Sequence, residues 1–329
     1  MQLDPGDAHP NAPCSAEDLA RRLDIELAVI DRWRQGGMPA LPDGRLDPFV
    51  VVSWVSWQRL NECPLLAGRW RAWLSWFTTV AKPVRVSVRR SQQVFLPESR
   101  SVRWWVPEPP DAPGQRIIAR QWSEGTACGQ YHRLITRTIP ATTHQWTAED
   151  EIELAPHQAE PRDRSYFEAL IADFAGAFTY SYRRHRPGEA VSWTGTCLDI
   201  AQLCGAELDR RQRPWRLVSG VVAHRQLANP HCWVEVDDGS AGWIPLDPTI
   251  PAIARMLGAD WRAVIPLAVG RHDARRIRVG DSAHSPPAST ALDLGGAMGA
   301  VEADGDGALA CTDWAIGECS WSIAVVKPV

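Results

Sequence analysis

Residues 191–250 read VSWTGTCLDIAQLCGAELDRRQRPWRLVSGVVAHRQLANPHCWVEVDDGSAGWIPLDPTI, and this stretch decides the fold. Its first part carries a helix signal. Ile200, Ala201, Leu203, Cys204 and Leu208 form a largely buried stripe. Thr196, followed three residues later by Asp199, predicts an N-cap with a capping box, which puts Cys197 at the first helical position. A helix start carries partial positive charge and unpaired N–H groups. Both favour a thiolate over a thiol, so Cys197 stands where a low-pKa cysteine is built. Its own N–H is a candidate oxyanion donor. Gly195 permits close approach of backbone or substrate.

Two strand-like runs follow, HCWVEVD and GWIPLD, joined through DDGSAG. A hairpin centred on Gly239 would make His231 and Asp247 cross-strand neighbours. Alternation puts His231, Trp233 and Glu235 on one face, with Trp243, Pro245 and Asp247 opposite. Asp247 can then accept a hydrogen bond from one ring nitrogen of His231, leaving the other to face Cys197. That is the logic of a nucleophile, a base and an orienting carboxylate. Taken singly, Cys197 also fits a buried helix cysteine, His231 an ordinary strand histidine and Asp247 a turn former before proline. His224 is a rival base in a less patterned segment and reads as a loop residue.

The order G-x-C-x-D-x-A (195–201), H-x-W-V-E-V (231–236) and G-W-x-P-x-D-P-T (242–249) resembles the transglutaminase-like superfamily. AFTYSY (177–182) is similar to the helix end that precedes the cysteine in that family. The resemblance covers about 166–250. It implies a papain-like α+β core, with the cysteine helix packed on an antiparallel sheet. It also implies Cys197 as nucleophile, His231 as general base and acid, and Asp247 as orienting carboxylate. The implied substrate is a peptide or protein amide, attacked through a thioester. Trp193, Thr196 and Trp233 are supporting candidates, Trp193 as a second oxyanion donor. Cys232 stands where alanine is common in the family, and its side chain is expected to face away and pack. Neither a calcium-site pattern nor the zinc cysteines of peptide N-glycanases is present. No cofactor is implied.

Upstream, SAEDLARRL (15–23) and ELAVIDRWRQ (26–35) predict two short helices with a tight turn, stopped by Gly36 and Gly37. With GGMP and the apolar FVVVSWVSW (49–57), the segment resembles the winged helix-turn-helix of excisionases, MerR-like regulators and phage terminase small subunits. That resemblance implies a DNA partner, met by Arg32 and Arg34 on the second helix and Arg45 in the wing. Residues 1–60, however, hold six arginines against nine acidic groups. An acidic module is a poor phosphate binder unless its charges segregate. A protein-interaction module of the same fold is the alternative.

Trp70, Trp73 and Trp76 are spaced by three, as in a core or interdomain stripe. Short β-branched and aromatic runs separated by Pro and Gly fill 84–155 and predict a β-rich domain. The expected organisation is thus a helical module at 1–62, a helical connector at 63–83, a β-rich domain at 84–160, a catalytic core at 161–270 and a C-terminal β segment at 271–329. A Gly/Ala-rich loop runs through 281–310.

Composition sets the outer limits. The chain has 329 residues, 45% hydrophobic and 22% charged, as a globular protein does. A net charge of −4 argues against a global basic field for nucleic acid. PFVVVSWVSW (48–57) is too short to span a bilayer, so no membrane partner is expected. The acidic start lacks an apolar run, which points to the cytoplasm and to reduced cysteines. The eight cysteines include no C-x2-C pair, so no metal site is expected. Cys128 and His132 lie four apart but lack further ligands.

Overall fold

The computed structural model describes residues 14–46, 48–79, 82–95, 100–123, 125–128, 132–139, 143–180, 193–222, 230–272, 276–281, 300–303 and 315–328. The chain opens with α1 (Ala16–Leu23) and α2 (Leu27–Gln35). Ser15 caps α1 by accepting from the Asp18 N–H at 3.1 Å, and Asp24 ends it in the left-handed region at φ 55°. α3 (Pro48–Gln58) and α4 (Pro64–Thr78) follow. The two anticipated helices and the glycine stop are present, Gly37 having φ 88°.

Strands dominate the next part: β1 (Val84–Phe95), β2 (Arg100–Pro107), β3 (Gln115–Trp122), β4 (Thr126–Cys128), β5 (His132–Ile139) and β6 (Thr143–Leu154). Then come β7 (His157–Gln158), α5 (Arg164–Ala177), β8 (Thr179–Tyr180), β9 (Thr194–Gly195), α6 (Cys197–Arg210), β10 (Trp215–Val222), β11 (Pro230–Asp237), β12 (Trp243–Leu246) and α7 (Thr249–Met256). β13 (Arg271–His272), β14 (Arg276–Asp281), β15 (Ala300–Ala303) and β16 (Ala315–Pro328) complete the described elements.

The sheet that matters for the site has the order β12-β11-β10-β14 and is antiparallel throughout. Its Val234, Val236, Ile244 and Leu246 share one core with Phe167, Leu170, Ile171 and Phe174 of α5, and with Ile200, Cys204 and Leu208 of α6. Ile200 and Leu208 are fully buried, and burial of such a side chain contributes about 1.5–3 kcal/mol. That packing holds the helix whose first residue is Cys197. The same core runs without a break into the N-terminal helices through Trp70, Trp73 and Phe77 of α4.

The described strands beyond 270 pair with strands from earlier in the chain. β14 extends the core sheet, whereas β15 pairs with β2 and β16 with β1. β16-β1-β6-β3 and β15-β2-β5-β4 are the two four-stranded sheets of the β-rich part. Val86, Val88, Ile152 and Leu154 from the first of these pack against Val221, Ile277 and Val279 of the core sheet. Most of 281–310, including the Gly/Ala-rich segment, lies outside the described residues. Among the described residues, no helix is long and apolar enough to cross a membrane.

Candidate active site

α6 begins as its sequence predicts. Thr196 Oγ1 accepts from the Leu198 N–H at 3.3 Å, while Asp199 Oδ2 accepts from the Thr196 N–H at 2.7 Å and from its hydroxyl at 3.2 Å. The capping box is complete. At Gly195 the close approach seen is that of a side chain. A Cβ there would lie 2.1 Å from Asp199 Oδ2 and 2.3 Å from its Cγ, so glycine makes room for the folded-back carboxylate.

The hairpin forms, but its register differs from the expected one. Val234 pairs with Leu246, Glu235 with Pro245, Val236 with Ile244 and Asp237 with Trp243. The centre is therefore Ser240, and Asp247 lies across from Trp233 rather than His231. The turn explains the shift. A 3-10 turn spans Gly239–Ala241, Gly242 has φ 71°, and the Asp238 N–H reaches the Gly242 carbonyl at 3.0 Å, lengthening the loop. Because side chains alternate, a two-residue offset preserves the face, and the contact becomes diagonal. His231 Nε2 is 2.8 Å from Asp247 Oδ2, with both side chains buried. Asp247 is thus the partner anticipated for His231, by a neighbouring register.

Nε2 is committed to Asp247, and the Cys197 side chain also favours the charged form of the ring. The electrostatics agree with that arrangement. The Cys197 thiol is held well below its usual range by a hydrogen bond from the Cys232 thiol, against the opposing effect of burial, with further help from His231. Burial pushes the His231 imidazole down, but the Asp247 carboxylate outweighs it and raises the ring to about 9. Asp247 is likewise disfavoured as an anion by burial, yet His231 and then Arg276 keep it ionised. Cys204, seven residues along the same helix, is pushed up to about 12 by burial alone in the main. Position at the helix start and contact with His231 and Cys232 separate the two thiols.

Cys232 does not face away from the site, contrary to the sequence expectation. It sits near the start of β11, where the strand end meets the start of α6. Its thiol and its backbone N–H both favour the Cys197 thiolate.

Three neighbours of the site escaped the sequence reading. Arg276 on β14 donates to Asp247 Oδ2 at 2.7 Å. Trp73 and Phe77 of α4 present their rings to His231 at 6.2 and 6.3 Å between centroids. Trp233 stacks on the His231 ring at 5.9 Å and 27°. Trp193 is half-exposed and lies flat on Phe174, with centroids 5.4 Å apart and planes at 14°. Trp70 and Trp73 are core residues, in edge contact at 6.0 Å. The side chains of Trp76, Cys128 and His132, and all of His224, lie outside the described residues.

The candidate DNA-binding arginines are remote from this cluster. Arg32 and Arg34 are exposed on α2, and Arg34 Nη2 donates to the Gly44 carbonyl at 2.6 Å. Arg45 pairs with Asp43 at 2.7 Å. Among the described residues, no group of three or more His, Cys, Asp or Glu side chains is arranged to hold a metal ion.

Residues 154–248 match the family described as the transglutaminase-like superfamily, so a domain of that type occupies this part of the chain. No curated protein matches the chain. Among solved structures, the chain is similar to one described as "a Putative Cysteine Protease from Cytophaga hutchinsonii". The two share 11% identity with a TM-score of 0.48, over 75% of this chain and 92% of the other. The periplasmic domain of TgpA from Pseudomonas aeruginosa also matches, at 15% identity and a TM-score of 0.26, over 56% of this chain and 93% of that one.

Proposed function

We propose that the protein is a thiol enzyme that cleaves peptide or protein amides, with Cys197, His231 and Asp247 as its triad. One observation carries this reading. A buried histidine is bonded through Nε2 to a buried carboxylate, and it favours the thiolate of a cysteine at a capped helix start. Such a pair exists as thiolate and imidazolium over a window below about pH 9, where His231 keeps its proton and Cys197 has lost its own.

In the reaction, the Cys197 thiolate attacks the amide carbonyl. The resulting oxyanion is stabilised by the Cys197 N–H. On collapse the C–N bond breaks, His231 gives its proton to the leaving amine, and a thioester remains on Cys197. Neutral His231 then takes a proton from water, whose oxygen attacks the thioester and releases the carboxylic acid and the thiolate. Asp247 holds the imidazole in the required tautomer throughout. Trp193, four residues before Cys197, is the candidate second oxyanion donor, and its stacking on Phe174 makes Trp193→Phe the conservative test of the indole N–H. Hydrolysis is favoured over transfer to an amine because water is always at hand.

The test is to incubate the full chain with a mixture of peptide amides, quench in acid and map adducts by mass spectrometry. The expected result is an acyl group on the Cys197 peptide, absent from Cys197→Ser. Turnover by Cys197→Ser at the rate of the unaltered protein would overturn the assignment.

A further inference from the structure

We propose that Arg276 is a positioning residue for this site: it keeps Asp247 an anion at the moment His231 gives its proton to the leaving amine. The inference rests on the triad reading above and adds to it a residue from a different strand.

The geometry is specific. Asp247 Oδ2 receives both His231 Nε2, at 2.8 Å, and Arg276 Nη1, at 2.7 Å. All three side chains are buried. Oδ1 is buried as well and has no hydrogen-bond partner, so Oδ2 carries the whole interaction. The second guanidinium amino group of Arg276 donates to the Arg271 carbonyl, which fixes the plane of the fork. Its Cζ lies 4.9 Å from the centroid of Trp233, the ring on which His231 stacks. Arg276 therefore holds both the acceptor of the histidine and the surface beneath it, without reaching the reacting sulfur.

The consequence follows from charge. While His231 is an imidazolium, Asp247 has a cation on each side. Once His231 loses its proton, a buried carboxylate would face a neutral ring, which is costly unless another cation stays. Arg276, bound to Oδ2 at 2.7 Å, is that cation. It makes His231 a better acid than an isolated Asp–His pair would allow. Without it, the ring would hold its proton to higher pH and donate it less readily.

Other charged groups around the three are accounted for. Glu235, on the same face of β11, is bound by Arg216 and Arg278 at 2.7 and 2.9 Å. Burial drives His272 down to about 4, so it is neutral across the range that matters, and His157 beside it is exposed. Arg271 is turned to the Phe77 and Thr79 carbonyls at the end of α4. Among the described residues, α4 presents the Trp73 and Phe77 rings, and α6 and β11 offer Cys197 and Cys232.

The experiment measures the rate of iodoacetamide alkylation of Cys197 in the full chain between pH 4 and 10, read on its peptide by mass spectrometry. Two inflections are expected in the unaltered protein, the lower from formation of the thiolate–imidazolium pair and the upper from loss of the imidazolium proton. Arg276→Gln should raise the upper inflection by about half to one pH unit. Arg276→Met, whose stem still covers Trp233, is a second charge-free variant with the same expectation. Arg276→Lys keeps the charge and should leave that inflection within about 0.2 unit of the original. A purely structural arginine would not separate these variants in this way. An upper inflection unmoved in a folded charge-free variant overturns the proposal while leaving the triad intact. Cys197 labelling that rises only through the range of an ordinary thiol, with no lower inflection in the unaltered protein, overturns the triad itself.

Discussion

Gly195→Ala is the substitution whose effect can be worked furthest from the geometry. Gly195 does not have a positive φ, so the backbone there suits any residue. Contact alone demands glycine: an added Cβ would meet Asp199 Oδ2, Cγ and Oδ1 at 2.1, 2.3 and 2.8 Å. Asp199 is fully buried and cannot give way without leaving its place. The variant would break the bonds from the Thr196 N–H and hydroxyl, at 2.7 and 3.2 Å, and so open the capping box of α6. Loss of a cap together with a charged hydrogen bond costs about 2–4 kcal/mol. The melting temperature should fall by several degrees. Cys197, at the first position of that helix, should also lose thiolate character. The assays are calorimetry and iodoacetamide labelling of Cys197 at pH 7. A double-mutant cycle isolates the cause, because in an Asp199→Ala background the clash disappears and Gly195→Ala should cost little more. Gly195→Ala with unaltered melting and labelling, or with its full cost retained in the Asp199→Ala background, would refute the reasoning.

Two other outcomes are expected. Cys232→Ala removes the hydrogen bond that does most to depress the Cys197 thiol, so its ionisation should move up towards the ordinary thiol range and labelling near pH 6 should slow; an unchanged labelling profile would contradict this. His272 is driven down to about 4 by burial, so below about pH 6.5 the unfolded chain binds a proton that the folded chain refuses. Stability contributed by the neutral ring is complete above that pH and is lost as pH falls towards 4, by about 3 kcal/mol at most. Urea unfolding of His272→Asn at several pH values should show a shallower acid slope than the unaltered protein, and an identical slope would contradict the assignment.

What the sequence made legible was local. Thr196 and Asp199 lie three residues apart, and the helix start they mark depends on nothing farther away. His231 and Asp247 are sixteen residues apart along one hairpin, so alternation alone put them on the same face. The loop geometry that shifted their register depends on one extra turn residue, which the composition of DDGSAG does not reveal. Arg276 escaped because its meeting with Asp247 requires β14 to join the far edge of the sheet from beyond α7. Trp73 and Phe77 escaped for the same reason, since nothing in the spacing of the α4 stripe says which histidine it will cover. Cys232 was misread because strict alternation holds within a sheet, while the end of a strand beside a helix start is reached from either face. The two N-terminal helices were legible, and so was the packing role of the α4 tryptophans, but not the elements they would pack against.

The central claim is that one thiol in this chain is ionised at neutral pH because of where it stands. Ultraviolet thiolate absorbance, recorded against pH for the full chain and for Cys197→Ser, measures this directly. The account predicts a difference spectrum of one thiolate already present at pH 7, lost only as the solution is made distinctly acidic. A difference that emerges only as pH rises through the range of an ordinary thiol would contradict it.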